Sequence, residues 1–174
     1  MKAIYLDCFS GLSGNMLLGA FLAAGLPLSF LEGELQSLLG TEAFRLHVSE
    51  VKRSGIAATY VEVEDLSAAH SHEAQGLHAH GNGVHPHRTM GEIRDLLVSS
   101  PLSEAVKDKA LAVFSCLAEA EGEVHGLLPE NVHFHEVGAV DSLVDIVGTA
   151  LALTYLQIEK VFVSRVNKIG RAHV

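Results

Sequence analysis

The sequence contains no tryptophan, and its 174 residues include only two cysteines, four prolines and 6% aromatic residues. Cys8 and Cys116 are too few for a disulfide framework, so we interpret them as thiols of a reducing compartment. Sparse aromatic residues offer little surface on which exposed bases could stack, which argues against single-stranded nucleic-acid binding.

Positive charge is also scarce, with 12 Lys and Arg residues against 21 Asp and Glu residues and a net charge of −9. Such a surface repels phosphate groups, so we expect neither a nucleic-acid nor an anionic-membrane partner. No apolar run approaches the roughly 18 residues that span a bilayer. Asp7 interrupts the N-terminal apolar run too early for a secretory signal. We therefore expect a soluble, cytoplasmic protein.

Apolar and polar residues alternate along 44–53 and 56–65 on either side of Ser54-Gly55, a pattern typical of a β-hairpin. Strand patterns also lie at 3–7 and 160–164, and helical patterns lie at 15–25, 29–40, 89–100, 103–126 and 139–156. We predict an α/β fold: a mixed sheet with a central β-hairpin, flanking helices and a long histidine-rich loop. Residues 1–164 are expected to form one domain.

Sequence signals also predict where some of these helices begin and end. Ser29 and Thr89 precede helical patterns and are predicted N-caps, with a glutamate three residues after Thr89. Gly40 is predicted to end the second helix.

Histidine, by contrast, is abundant, with eleven residues in the chain. Six of them lie in the polar segment 67–88, as the pairs His70/His72, His78/His80 and His85/His87. Residues two apart point to the same side of an extended chain, so each pair can converge on one ion. Neutral imidazole suits divalent nickel, copper and zinc. We expect a mobile loop that collects metal; the alternative is a solvated low-complexity loop.

A fourth pair opens the segment HFHEVGAVDSLVDIVG, where ligating side chains lie among residues typical of a buried core. If this segment is extended, His133 and His135 leave the same face, whereas a turn lets Glu136 join them. Two imidazoles and a carboxylate on a rigid frame fit a first-row metal site, and Asp141 is a further candidate ligand. A pair of hydrogen-bonded core histidines is the alternative.

Asp141 and Asp145 are spaced one helical turn apart and so share a helix face, where two like charges destabilise an isolated helix. Asp141 alone suits the first turn, because anions are favoured at a helix N-terminus. Asp145 is flanked by aliphatic residues, where a carboxylate is costly unless a cation or hydrogen-bond donors meet it. We therefore favour a functional role for Asp145.

The segment LDCFSGLSGNM follows the first predicted strand and is similar to loops that cradle phosphate between a strand and a helix. The candidate phosphate-binding residues in it are Ser10, Gly11, Ser13, Gly14 and Asn15. Asp7, at the strand end, lies where α/β folds place catalytic groups. Lys52 and Arg53 are candidates to neutralise a phosphate, although a solvated hairpin end explains them equally well.

Four parts of the chain together closely resemble the LarC family, the nickel-insertion proteins of nickel-pincer nucleotide cofactor synthesis. These parts are YLDCFSGLSGNMLLGA, VKRSGIAAT, the histidine-rich segment, and AEAEGEVHG with VHFHEVGAVDSLVDIVG. The resemblance covers about residues 1–164.

The resemblance implies a nickel cyclometallase of the lyase class. Such a protein inserts Ni²⁺ into a pyridinium mononucleotide that carries two thiocarboxylates, forming nickel–sulfur bonds and a nickel–carbon bond. In the family, CTP hydrolysis with Mg²⁺ or Mn²⁺ accompanies the reaction. A base must remove the ring proton, and Glu136 and Asp145 are the candidates.

Two departures from the family pattern stand out. The family usually has Asp where this chain has Asn15, which supplies a carbonyl oxygen but no charge. The family also continues into a C-terminal domain associated with CTP, whereas residues 165–174 are atypical here and are interpreted as a truncated or foreign tail. We expect a C-terminal LarC domain or chain as a partner, and homo-oligomerisation is left open.

Two other functions are kept as alternatives. A non-catalytic nickel chaperone or store would rely on the histidines from His70 to His87. A metal-dependent hydrolase would rely on His133, His135, Glu136 and Asp141.

Overall fold

The computed structural model describes residues 1–9, 11–53, 55–66, 88–134 and 139–166, without the Arg53 side chain. In chain order the elements are β1 (Lys2–Leu6), α1 (Gly14–Ala23), α2 (Leu28–Leu39), β2 (Phe44–Arg53), β3 (Ile56–Asp65), α3 (Met90–Ser99), α4 (Glu104–His125), a 3₁₀ turn (Pro129–Asn131), α5 (Val140–Tyr155) and β4 (Ile158–Val163). The mixed α/β class is confirmed. Of the predicted histidine-rich loop, only Arg88 lies within the described residues.

The strands form two separate pairs, so the prediction of a single mixed sheet is wrong for the described residues. β1 and β4 pair in parallel, and β2 and β3 form the predicted antiparallel hairpin with Phe44 opposite Asp65. The hairpin packs on α1 through β3 rather than beside β1. Alternation along a strand indicates a buried face but does not say whether a strand or a helix covers it.

The core lies around α5, because its apolar positions face α1, α2 and α4. Leu143, Val144 and Val147 are fully buried there. A Cβ at Gly148 would come within 2.8 Å of Leu18 Cδ2 on α1, so the two helices meet closely at this glycine. α1 therefore lies between α5 and β3, which fixes the position of its first turn.

The helix ends test the capping predictions. Thr89 caps α3 as predicted, with a reciprocal capping box to Glu92. α2 begins one residue earlier than predicted, with Pro27 at the N-cap position, so the assignment of Ser29 is wrong. Pro27 has an extended ψ of 130°, so the helix begins at the residue after it. Gly40 ends α2 with a φ of 93°, as predicted.

Among the described residues, none of the helices is both long enough and apolar enough to cross a membrane.

Candidate functional site

The first turn of α1 lies directly against the Asp145 side chain of α5. A Cβ at Gly14 would fall 2.2 Å from both Cγ and Oδ2 of Asp145, so only glycine fits at position 14 without displacing the carboxylate. Residues 13, 14 and 15 are therefore brought beside a residue from the other end of the chain. The prediction that Asp141 and Asp145 lie one turn apart on a helix is confirmed.

The Asp145 carboxylate lacks the partners that normally accompany a buried charge. Its Oδ1 atom is buried and has no hydrogen-bond partner among the described residues. Burial, with a smaller contribution from the negative charge of Asp141, raises the pKa of Asp145 from 3.8 to about 6. An unpartnered polar atom of this kind is costly to bury and calls for a functional explanation.

A cavity of about 340 Å³ opens beside this carboxylate, between α1, α4 and α5. The side chains around it are largely aliphatic, with the acid and two hydroxyls as the polar groups. The lining residues are Gly14, Leu17, Val113, Leu117, Ser142, Asp145, Ile146 and Thr149. An apolar cavity with a few convergent polar groups is the usual form of a small-molecule site.

A second cavity, of about 350 Å³, lies between the start of α1 and the β2–β3 hairpin. Its polar lining comes from Ser13, Asn15, Thr59 and Tyr60. The Ser13 hydroxyl donates to Asn15 Oδ1, and Asn15 Nδ2 donates to the Val61 carbonyl at 3.4 Å. An ionised Asp at position 15 could not make the second bond because it has no donor, so this chain's asparagine ties α1 to the hairpin.

Among the described residues, the start of α1 has no side-chain cap from its N-cap residue. Ser13 occupies the N-cap position, but its side chain makes no capping hydrogen bond. The first N–H groups of a helix have no partner within the helix and favour an anion. That Ser13, Gly14 and Asn15 bind phosphate stays a prediction.

The other predicted site residues of this region do not line the two cavities beside α1, or lie outside the described residues. Gly11 adopts a φ of 88° and donates from its N–H to the Cys8 carbonyl at 3.0 Å, which turns the chain after β1. Asp7 and Lys52 are exposed and do not line either cavity beside α1. Ser10 and the Arg53 side chain lie outside the described residues, so their predicted roles stay predictions.

The predicted metal ligands divide between two places. His133 is exposed and lies in a short bridge to Thr89, whereas Asp141 is exposed in the first turn of α5 and accepts a hydrogen bond from the Ser142 N–H at 2.7 Å. Within the described part of the chain, no three His, Cys, Asp or Glu side chains are grouped to hold a metal. The remaining predicted ligands lie outside the described residues: His135, Glu136, His70, His72, His78, His80, His85 and His87.

Sequence reasoning missed most of the cavity wall around Asp145. Ser142, Ile146 and Thr149 share a face with Asp145 at helical spacing, a signal that was available in the sequence. Val113 and Leu117 come from α4, and no local pattern shows which helix packs against which. His125, which lines a further cavity with His133, was also missed.

Comparison with known proteins places these features in a family context. Residues 4–174 match a protein-family model described as nickel insertion protein. The chain is 46% identical over 162 residues to the pyridinium-3,5-bisthiocarboxylic acid mononucleotide nickel insertion protein of Geobacillus kaustophilus, covering 91% of this chain and 37% of the relative. It is 41% identical over 174 residues to the protein of the same name from Desulfitobacterium hafniense, covering 100% of this chain and 39% of the relative.

The chain thus spans 37% to 39% of the length of these two relatives. No solved structure matches it.

Proposed function

The chain belongs to the nickel insertion protein family, as the resemblance to LarC predicted, and on that premise we propose that it inserts nickel into a pyridinium mononucleotide carrying two thiocarboxylates. In this proposal the cavity between α1, α4 and α5 receives the pyridinium ring, and the polar cavity at Ser13 and Asn15 receives the ribose phosphate. The start of α1 lies between them and contacts both parts of one ligand.

The observation that carries this proposal is the unpartnered Asp145 carboxylate at the wall of an apolar cavity. Forming a nickel–carbon bond requires the ring carbon to lose a proton as it gains the metal. The proton passes to the Asp145 carboxylate, the carbon keeps the electron pair, and two thiocarboxylate sulfurs complete the attachment of Ni²⁺. No oxidant or reductant is needed, because the ring carbon replaces its proton with Ni²⁺ and keeps the electron pair.

The raised pKa supports this role for Asp145. Burial first, and the charge of Asp141 second, raise its pKa to about 6. Just above that pH the group is ionised yet more basic than an ordinary aspartate, which suits a proton acceptor near neutrality. Glu136 remains a second candidate for this step and Asp7 a further catalytic candidate, although Asp7 does not line this cavity.

For the phosphate we retain the predicted set of Ser10, Gly11, Ser13, Gly14 and Asn15, with Lys52 and Arg53 as neutralising charges. The N–H groups at the α1 start supply donors that need no side chain. The Ser13 and Asn15 side chains then hold the turn in place through their mutual hydrogen bond.

The nickel itself is the cargo of the reaction, and we propose His133, His135, Glu136 and Asp141 as its holding site. The histidines from His70 to His87 would collect it, and a protein limited to that task would be the store considered above. CTP with Mg²⁺ or Mn²⁺, the lyase class and a cytoplasmic location are further parts of the proposal. We assign CTP to the part of the longer relatives that this chain does not span.

The proposal is tested by calorimetry and mass spectrometry on the untagged chain with the dithiocarboxylate mononucleotide, Ni²⁺, CTP and Mg²⁺. We expect the nucleotide to bind this chain and, once the part of a longer relative that this chain does not span is added, to gain nickel with loss of the ring proton. Asp145→Asn should bind the nucleotide but give no nickel–carbon product. Asp108→Asn, an exposed carboxylate on α4, is the matched control and should behave as the unmodified chain. Absence of nucleotide binding would refute the proposal.

A further inference from the structure

A tight turn follows His125 at the end of α4 and fixes the position of the backbone there. His125 is the last residue of the 22-residue helix α4, and Gly126 ends the helix in a left-handed conformation with a φ of 67°. The Leu127 N–H donates to the Gly122 carbonyl at 3.0 Å, and a Cβ at Gly122 would lie 2.7 Å from the Leu127 carbonyl oxygen. The turn after His125 is therefore close-packed.

The backbone on both sides of His133 is held by hydrogen bonds. The Met90 N–H donates to the Val132 carbonyl, and the Phe134 N–H donates to the Arg88 carbonyl, both at 3.2 Å. Val132 and Phe134 are buried while His133 between them is exposed. Because successive side chains of an extended segment point to opposite sides, burying its neighbours directs the His133 imidazole outward.

These two histidines line one cavity of about 370 Å³, together with Leu127 and Val132. We propose that His125 and His133 form a two-imidazole entry site for Ni²⁺, from which His133 passes the ion to the holding site proposed above. Neutral imidazole is a favoured ligand of nickel, and two such groups on a fixed backbone bind without first ordering a loop. The site stands apart from the cavity at Asp145, which has no residue in common with it.

The surroundings of the pair favour a cation. Two hydrogen bonds from Thr89 lower the pKa of Glu92, with smaller contributions from the positive charges of His133 and Arg88, so this glutamate stays ionised. The Glu92 charge interacts electrostatically with His133, which favours a cation at this histidine. Two protein ligands leave most coordination positions of nickel to water, so the ion can be passed on to sulfur ligands. The site is therefore suited to transfer rather than to storage. Only the choice of metal rests on the proposed function.

The test is imidazole ¹⁵N NMR of the full chain with substoichiometric Ni²⁺, followed by affinity measurements on variants. The His125 and His133 signals should broaden together at low nickel concentrations, whether or not the histidines of 67–87 broaden as well. His125→Ala and His133→Ala should each weaken this site by at least the roughly 10- to 100-fold that follows loss of a ligand's supporting group. The double variant should be no weaker than either single variant, because one imidazole alone does not chelate.

His47→Ala is the matched control, because His47 is an exposed histidine engaged with Glu64 at 2.8 Å on the hairpin, and nickel affinity should not change. Broadening confined to histidines of 67–87, or an unchanged affinity in His125→Ala, overturns the proposal. If His125→Ala leaves the nickel affinity unchanged while the nucleotide still binds, only this site is refuted. If the pair binds nickel and the nucleotide does not bind, only the proposed function is refuted.

Discussion

The starts of α1 and α3 differ in how their first backbone N–H groups are satisfied. At α3, Thr89 accepts a hydrogen bond from the Glu92 N–H at 3.1 Å, and the Glu92 carboxylate accepts one from the Thr89 N–H at 2.7 Å. At α1, the Ser13 side chain makes no capping bond, and the unpartnered acid Asp145 presses against Gly14. The N-cap hydrogen bonds of α3 come from its own residues, whereas α1 has no side-chain cap and begins beside two cavities.

This difference indicates that the start of α1 contributes less to stability than the start of α3. A capping box satisfies backbone donors locally and stabilises the helix. An uncapped helix start next to a buried carboxylate forgoes that gain, and natural proteins accept such local inconsistencies mainly at functional sites. We therefore expect substitutions at α1 to separate stability from ligand binding, and substitutions at α3 to affect stability alone.

The largest effect is expected for Gly14→Ala. A Cβ 2.2 Å from the Asp145 carboxyl group must displace it, and overpacking of this kind costs about 3 kcal/mol. Gly33→Ala is the control, because a Cβ there meets nothing within 4 Å on the exposed side of α2. That control should stabilise the protein by about 1 kcal/mol. Denaturant unfolding measures both, and equal effects would show that α1 and α5 do not meet as described.

Asp145→Asn should stabilise the protein near pH 7.5. Because the folded-state pKa is raised, the charged form costs stability above about pH 6, and this cost disappears as the pH falls below 3.8. The full shift corresponds to about 3 kcal/mol, which partial exposure reduces to roughly 1–2 kcal/mol. Unfolding at pH 7.5 and at pH 3.5 should show the gain only at the higher pH. A gain of equal size at both would contradict the assignment.

Thr89→Ala removes the cap of α3 and should cost about 1 kcal/mol of the free energy of unfolding. Nucleotide binding should not change, because Thr89 lines neither cavity beside α1. Thermal unfolding and calorimetry check the two parts separately. A weakened nucleotide affinity would show that the two helix starts are not independent.

The smallest effect on stability is expected for Ser13→Ala, within about 0.5 kcal/mol, since this side chain caps nothing. Its hydrogen bond to Asn15 is lost, so the affinity for the mononucleotide should fall although the melting temperature does not. A stability loss as large as that of Thr89→Ala would mean that Ser13 acts as an ordinary cap.

Local patterns predicted the elements better than their assembly. The hairpin, the end of α2 at Gly40 and the capping box of α3 depend on neighbouring residues and were confirmed. The separation of the strands into two pairs depends on contacts between distant segments, for which a single sequence carries no periodic signal.

In the candidate site, too, local features could be predicted and contacts between distant segments could not. Asp145 was identified because a carboxylate among aliphatic residues is costly wherever the helix packs. Its contact with Gly14 brings together residues that are distant in sequence and could not be read from either segment. His125 was overlooked because only the folded turn after α4 brings it to the cavity that His133 lines.

The most direct measurement is a ¹³C NMR titration of the Asp145 carboxyl group with and without the mononucleotide. We predict a pKa of about 6 in the free protein, and a higher value with the nucleotide because its two thiocarboxylates bring more negative charge to Asp145 than the single pyridinium charge offsets. The carboxyl group of Asp108 should not respond to the nucleotide. An ordinary pKa for Asp145 that the nucleotide leaves unchanged would contradict both its unpartnered state and its place beside the ring.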